Sequence, residues 1–148
     1  MPLTSQEQKR YNRHIILHDI RIQGQEKIKE TSILVVGAGG LGSPILYYLT
    51  AAGIGHIGIM DDDVVSESNL QRQILYDTTH VGTPKVTVAA TKLKQLNPFK
   101  EYIFFHEYYE CFKWIYTYYS SFELPTLQST EYIILLKNII NSNLYEVM

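Results

Sequence analysis

The apolar positions of the chain fall in short blocks, and the spacing inside each block predicts its conformation. Residues 32–36, "SILVV", are apolar and β-branched without alternation, as in a strand covered on both faces. The run then collapses into glycine. From Leu41 to Ala52 the apolar residues Leu41, Ile45, Leu46 and Leu49 recur at helical spacing until Gly53 closes the block. Residues 57–61, "IGIMD", read as a second strand. Pro84 opens "PKVTVAATKLKQL", where Val86, Ala89, Ala90 and Leu93 form one helical stripe and proline suits the first turn. Residues 101–106, "EYIFFH", are the third expected strand. Ahead of these, Thr4-Ser5-Gln6-Glu7 has the form of a capping box, with Thr4 at N-cap and Glu7 at N3, opening a helix that carries "RYNRHIIL". Residues 24–30 read as a further helical piece. Strand, helix, strand, helix, strand predicts an α/β fold with a parallel sheet and flanking helices.

Gly37, Gly39 and Gly42 match G-x-G-x-x-G between the first strand and the helix that follows, the context in which this spacing carries meaning. Missing side chains let the backbone turn tightly and let a phosphate approach free N–H groups at the positive end of a helix. Asp61 ends the next strand 19 residues after Gly42, where a carboxylate accepts hydrogen bonds from ribose hydroxyls. An adenosine nucleotide in a Rossmann-like turn is therefore expected. "SNLQRQ", residues 68–73, and Lys85 then add one guanidinium and one ammonium downstream. Hydride transfer has little use for these cations. Nucleotidyl transfer needs them, because a carboxylate attacking the α-phosphate is repelled by the triphosphate and pyrophosphate leaves with added charge. The competing readings are a nicotinamide-dependent oxidoreductase, disfavoured by Arg72 and Lys85, and solvated surface charge.

Composition narrows the partners. A formal net charge of -2 over 148 residues gives no global basic excess, so nucleic-acid and anionic-membrane binding are not expected. No window approaches the ~18 apolar residues of a membrane span, and the polar opening of the chain is unlike a secretory leader. The chain reads as soluble and unexported. The single Cys111 excludes an internal disulfide and agrees with a reducing compartment. His14 and His18, four apart, have the spacing of a metal-ligand pair but no third ligand. Of Asp61, Asp62 and Asp63, at most two can converge, since neighbours at a strand end point to opposite faces.

Together "RYNRHIIL", "GQEKIK", "VVGAGGLGSP", "AAGIGHIGIMDDDVVSESNLQRQILY", "VGTPKV" and "LKQLNPF" resemble the amino-terminal part of the ThiF/MoeB/HesA family, related to ubiquitin-activating enzymes, and most of all its molybdopterin-synthase adenylyltransferase branch. The resemblance runs over about residues 8–99. It implies an enzyme that uses Mg-ATP to adenylate the C-terminal glycine of a ubiquitin-like sulfur-carrier protein, for molybdopterin or thiamine synthesis, in the bacterial cytoplasm or plastid stroma. Position by position it implies Gly40 in the nucleotide turn beside Gly37, Gly39 and Gly42, and Asp61 on the ribose. It places Ser68, Asn69, Leu70, Gln71 and Arg72 along phosphate and ribose, and Lys85 on phosphate. Arg13 matches an arginine finger that reaches the ATP of the other subunit of a homodimer, so Arg13, Arg72 and Lys85 are the expected catalytic residues. Asp63 is an acidic neighbour.

The last third breaks the pattern. All nine glycines, five aspartates and four arginines precede residue 84, whereas residues 98–148 hold eight of the twelve tyrosines. Eleven of the 21 residues from Tyr102 to Phe122 are aromatic, and residues 100–148 hold three Lys against six Glu, the wrong balance for a single-strand stacking platform. The family's D-x-x-D-N, which supplies a magnesium aspartate, and its zinc-binding C-x-x-C pairs are absent, so zinc is not expected. Loss of Gly, Asp, Arg and Val in favour of Tyr, Phe, Ile and Asn fits a shifted reading frame in an AT-rich gene. The expected organisation is a helical arm, 1–31, an incomplete nucleotide-binding α/β unit, 32–106, and an atypical tail, 107–148, with Cys111 inert. The alternative function is an inactive fragment that at most binds ATP or pairs with a full-length subunit.

Overall fold

The computed structural model describes residues 1–105. The tail, with Cys111 and most of the aromatic run, lies outside them. Helices α1 (Ser5–Arg10), α2 (Asn12–Ile15) and α3 (Arg21–Glu30) lead into β1 (Ser32–Val36), followed by α4 (Gly42–Ala52), β2 (His56–Met60), α5 (Lys85–Leu96) and β3 (Glu101–Phe105). The strands form one parallel sheet in the order β1-β2-β3, with Val36 beside Met60 and Met60 beside Phe105.

Alternation along each strand separates two apolar faces. Val35, Ile57 and Ile59 pack with Leu46 of α4 and Val86, Ala89 and Leu93 of α5, so both crossover helices cover the same face. This is what successive right-handed crossovers between neighbouring parallel strands require. On the other face Val36, Met60 and Phe105 form a smaller cluster with Leu34 and Ile103.

The element boundaries follow local chemistry. Glu7 N–H donates to Thr4 Oγ1 and Thr4 N–H to Glu7 Oε2, the capping box read from the sequence. Gly53 ends α4 in the left-handed region at φ 96, its N–H donating to Leu49 and Thr50. Two expectations shift. Pro84 is the N-cap of α5 with ψ 131 rather than its first helical residue. The segment after the capping box divides at Tyr11 (φ -95, ψ 15), whose ring is drawn into the interior, 2% exposed.

That ring sits in a buried polar joint between the helical segment and the α/β unit. Asn97 Nδ2 donates to Tyr11 Oη at 2.7 Å and to Thr50 O at 2.8 Å. Gln25 Nε2 donates to Ala52 O at 2.8 Å, and Lys100 Nζ lies 5.4 Å from the Tyr11 ring centre. Glu7, 2% exposed, holds two ammonium groups, Lys29 at 2.8 Å and Lys100 at 3.5 Å. Burial pushes the Glu7 carboxyl up, but the Lys29 ammonium and the Thr4 N–H and hydroxyl outweigh it and bring the pKa down to about 2. A depressed carboxyl stabilises the fold above its ordinary pKa of 4.5, and the contribution is lost as pH falls from 4.5 through 2. We predict that Glu7→Gln flattens the pH dependence of unfolding free energy across that window by on the order of 3 kcal/mol. At pH 7 it should destabilise, because Lys100 is left buried without its carboxylate. Urea titrations from pH 2.5 to 7 measure both effects.

Candidate functional site

The turn after β1 is fixed by bonds to its second residue. Gly37 takes φ 87, which its missing side chain permits, and its N–H donates to Met60 O at 2.7 Å. Ala38 N–H donates to Asp61 Oδ2 at 2.7 Å. The Ala38 carbonyl accepts twice, from Ser43 Oγ at 3.1 Å and from Tyr76 Oη at 2.9 Å. Burial pushes the Tyr76 phenol far above its ordinary range, with Asp61 adding to the push, so it remains a donor. Gly42 is needed for approach rather than rotation: a Cβ there would lie 1.8 Å from Gly37 O. With Ala38 held on both sides, the N–H groups of Gly39, Gly40, Leu41 and Gly42 are left at the start of α4, donating to nothing among the described residues. Such a row at a helix N-terminus is an anion cradle.

The cradle opens on a cleft of about 320 Å³ lined by the turn, Asp61, Asp63, Gln73 and Lys85. Lys85, buried, places its ammonium 2.6 Å from Asp63 Oδ2 and 3.7 Å from Asp61 Oδ1. Asp61 and the exposed Asp63 converge on it, while Asp62 does not line the cleft. Asp61 also accepts from Asp63 N–H through Oδ1 at 2.9 Å, so its carboxylate braces the turn and its own loop at once. A larger cleft, about 520 Å³ between α5 and β3, is lined by Ala90, Thr91, Lys94, Gln95 and Tyr102 and lies apart from the glycine turn.

The other expected residues divide. Arg72 is exposed, its Nη2 donates to Asn69 Oδ1 at 2.8 Å, and its stem lies 3.3 Å from where a Cβ on Gly40 would stand, so both residues flank the cradle. Leu70 packs against the main core. Ser68 and Gln71 are exposed and do not line the cleft; Ser68 pairs with Ser66 through their hydroxyls at 3.0 Å. Arg13 is exposed on α2, outside the cleft lining. His14 and His18 do not pair: His14 Nδ1 meets Gln25 Oε1 at 2.8 Å, and His18 lies beyond the end of α2 beside Asp19. Leu41 and Gln73 line the cleft without having been expected there; alternation in "SNLQRQ" does not distinguish Gln73 from Gln71.

A family model described as "ThiF family" matches residues 11–111. The chain belongs to the ThiF family. Among curated ThiF relatives, a "Probable molybdopterin-synthase adenylyltransferase" of Porphyra purpurea is 54% identical over 63% of this chain and 24% of its own length. A "Sulfur carrier protein adenylyltransferase" of Thermus thermophilus is 51% identical over 66% of this chain and 36% of its own. The chain thus spans about a quarter to a third of the length of these relatives. Among solved structures, E. coli MccB with AMPCPP and MccA superposes with a TM-score of 0.62 at 27% identity, over 70% of this chain and 34% of that one.

The two glycines make a testable contrast. Gly42→Ala drives a Cβ into backbone and should cost at least about 3 kcal/mol of stability in urea unfolding. Gly40→Ala meets only the flexible Arg72 stem and should cost less than about 1 kcal/mol.

Proposed function

We propose that the chain carries the ATP-binding part of an adenylyltransferase that activates the C-terminal glycine carboxylate of a ubiquitin-like sulfur-carrier protein. The observation that carries this reading is the row of N–H groups from Gly39 to Gly42 that find no acceptor among the described residues, facing a cleft that also holds the Lys85 ammonium. Support for ATP over a dinucleotide comes from the names of the two adenylyltransferase relatives and from AMPCPP, ATP with a methylene bridge between its α- and β-phosphates, in the related MccB structure.

In the proposed reaction a carrier carboxylate oxygen bonds to the α-phosphorus, the bond from that phosphorus to the α,β-bridging oxygen breaks, and pyrophosphate leaves. The turn N–H groups hold phosphate oxygens and cost no reorganisation, because Ala38 is already pinned. Lys85 is a point charge beside the transferring phosphorus, and its two carboxylates hold it in place. Arg72, stacked along Gly40, receives charge that develops on pyrophosphate. Asp61 keeps lone pairs for a ribose hydroxyl beyond those it gives to Ala38 and Asp63. Arg13 reaches the nucleotide of a second subunit in a homodimer, a role supported by the exposed Ile16 and Leu17 that follow it.

Magnesium accompanies ATP in this chemistry. Among the described residues no three His, Cys, Asp or Glu side chains converge, and the two carboxylates that line the cleft, Asp61 and Asp63, both face Lys85.

Pyrophosphate exchange into ATP in the presence of a purified sulfur carrier tests the reading. Exchange is expected with the unmodified chain and should fall about 100-fold or more in Arg72→Ala and in Lys85→Met. Binding of ATP without exchange would assign nucleotide binding alone to this chain, and tighter binding of NADH than of ATP would overturn the proposal.

A further inference from the structure

The three hydrogen bonds to Ala38 do not fall on the same peptide. Asp61 Oδ2 accepts from the Ala38 N–H, which fixes the peptide before this residue. The Ala38 carbonyl belongs to the peptide after it, and accepts from Tyr76 Oη at 2.9 Å and Ser43 Oγ at 3.1 Å. Ala38, Ser43 and Tyr76 are all buried, so no solvent competes for that oxygen. No peptide bond of the described residues is cis, and in a trans peptide the N–H points opposite to the carbonyl. Holding the Ala38 oxygen toward the interior therefore turns the Gly39 N–H outward, to the cleft that Gly39 lines.

This peptide has a second orientation open to it. Turning its plane over changes only ψ of Ala38 and φ of Gly39, and it carries Gly39 to a positive φ that glycine accepts. In the orientation seen, Gly39 has no positive φ, and a Cβ on it would meet Gln73 Nε2 at 3.4 Å, an ordinary contact. Turned over, the peptide would present the Ala38 oxygen to the cleft, which repels an anion, and withdraw the Gly39 N–H. Resting on the nucleotide reading above, we infer that Tyr76 and Ser43 are positioning residues for the nucleotide: their hydroxyls hold the Ala38–Gly39 peptide in the one orientation that aims the Gly39 N–H at the bound anion. Neither hydroxyl touches the ligand. Each donates to a carbonyl that can only accept, and with both removed a buried acceptor is left unpaired, a cost that the flipped orientation relieves. One clamp is local, from the first turn of α4, and the other comes from a loop 38 residues along the chain.

The test uses Tyr76→Phe, which keeps the buried ring and removes the hydroxyl, Ser43→Ala, and the two combined, each in the full chain. ATP dissociation constants are measured by calorimetry at fixed magnesium and salt, and the Gly39 amide signal is followed by nitrogen-15 NMR with and without ATP. Affinity falls only as the fraction of chains in the competent orientation falls, and either hydroxyl alone still holds the carbonyl. Each single variant is therefore expected to bind ATP no more than about 3-fold weaker, and the double variant about 10-fold weaker or more, above the product of the two. Without ATP the Gly39 signal should be broadened or doubled by exchange in Tyr76→Phe and more so in the double variant, and saturating ATP should restore one sharp signal. A double-variant loss no larger than the product of the single losses would overturn the inference. So would a Gly39 signal that stays sharp and single in every variant, and if the double variant does not fold, a signal in Tyr76→Phe identical to that of the unmodified chain does so alone. An unmodified chain that binds no ATP overturns the nucleotide reading itself, while the Gly39 signal, read without nucleotide, still decides whether the hydroxyls hold the peptide.

Discussion

One residue, Ala38, controls the geometry of everything around the cleft. Its N–H is held by the Asp61 carboxylate and its carbonyl by the hydroxyls of Ser43 and Tyr76, so the peptide units on both sides of it are fixed. Because β1 enters the turn from one side and α4 leaves it on the other, fixing these two peptides fixes where the next four N–H groups point. The close approach of Gly42 to Gly37 O then leaves no slack between strand and helix. An anion seated on this turn would meet donors already in place, with no binding energy spent on ordering the loop.

The charges around the cleft offset one another. A lone buried ammonium would be costly, and Lys85 is instead offset by Asp63 and, at longer range, by Asp61. The same Asp61 that braces Ala38 faces this ammonium, so turn geometry and local charge are coupled through one carboxylate. Arg72 stays in solvent, tethered to Asn69, where its desolvation is deferred until a ligand arrives.

The helical segment before β1 is joined to this unit by a set of polar contacts, beside the packing of Ile28 of α3 against the main core. Glu7 serves as capping-box residue and as buried counter-ion to Lys29 and Lys100, while Tyr11 and Gln25 close the joint against Asn97 and the end of α4. A Cβ on Gly53 would lie 2.7 Å from the Tyr11 ring, so the glycine that ends α4 also makes room for the arm. Directional bonds of this kind set orientation more sharply than an apolar patch would, and they hold the stretch carrying Arg13 at a defined place beside the sheet.

The sequence by itself determined the local events: the strand blocks, the capping box at Thr4 and Glu7, the left-handed stop at Gly53, and a glycine turn between strand and helix. Each is a constraint between residues a few positions apart, so spacing alone reveals it. The tertiary structure decided what depends on distant parts of the chain meeting. It made Asp61 a brace for Ala38, set Lys85 between two carboxylates, drew Tyr11 inward and so divided the first helix. It also chose Gln73 over Gln71 for the cleft: Gln73 is buried and lines it, while Gln71 is exposed. No pattern in "SNLQRQ" encodes that choice, since burial is settled by what packs opposite a residue rather than by the residue's neighbours in sequence.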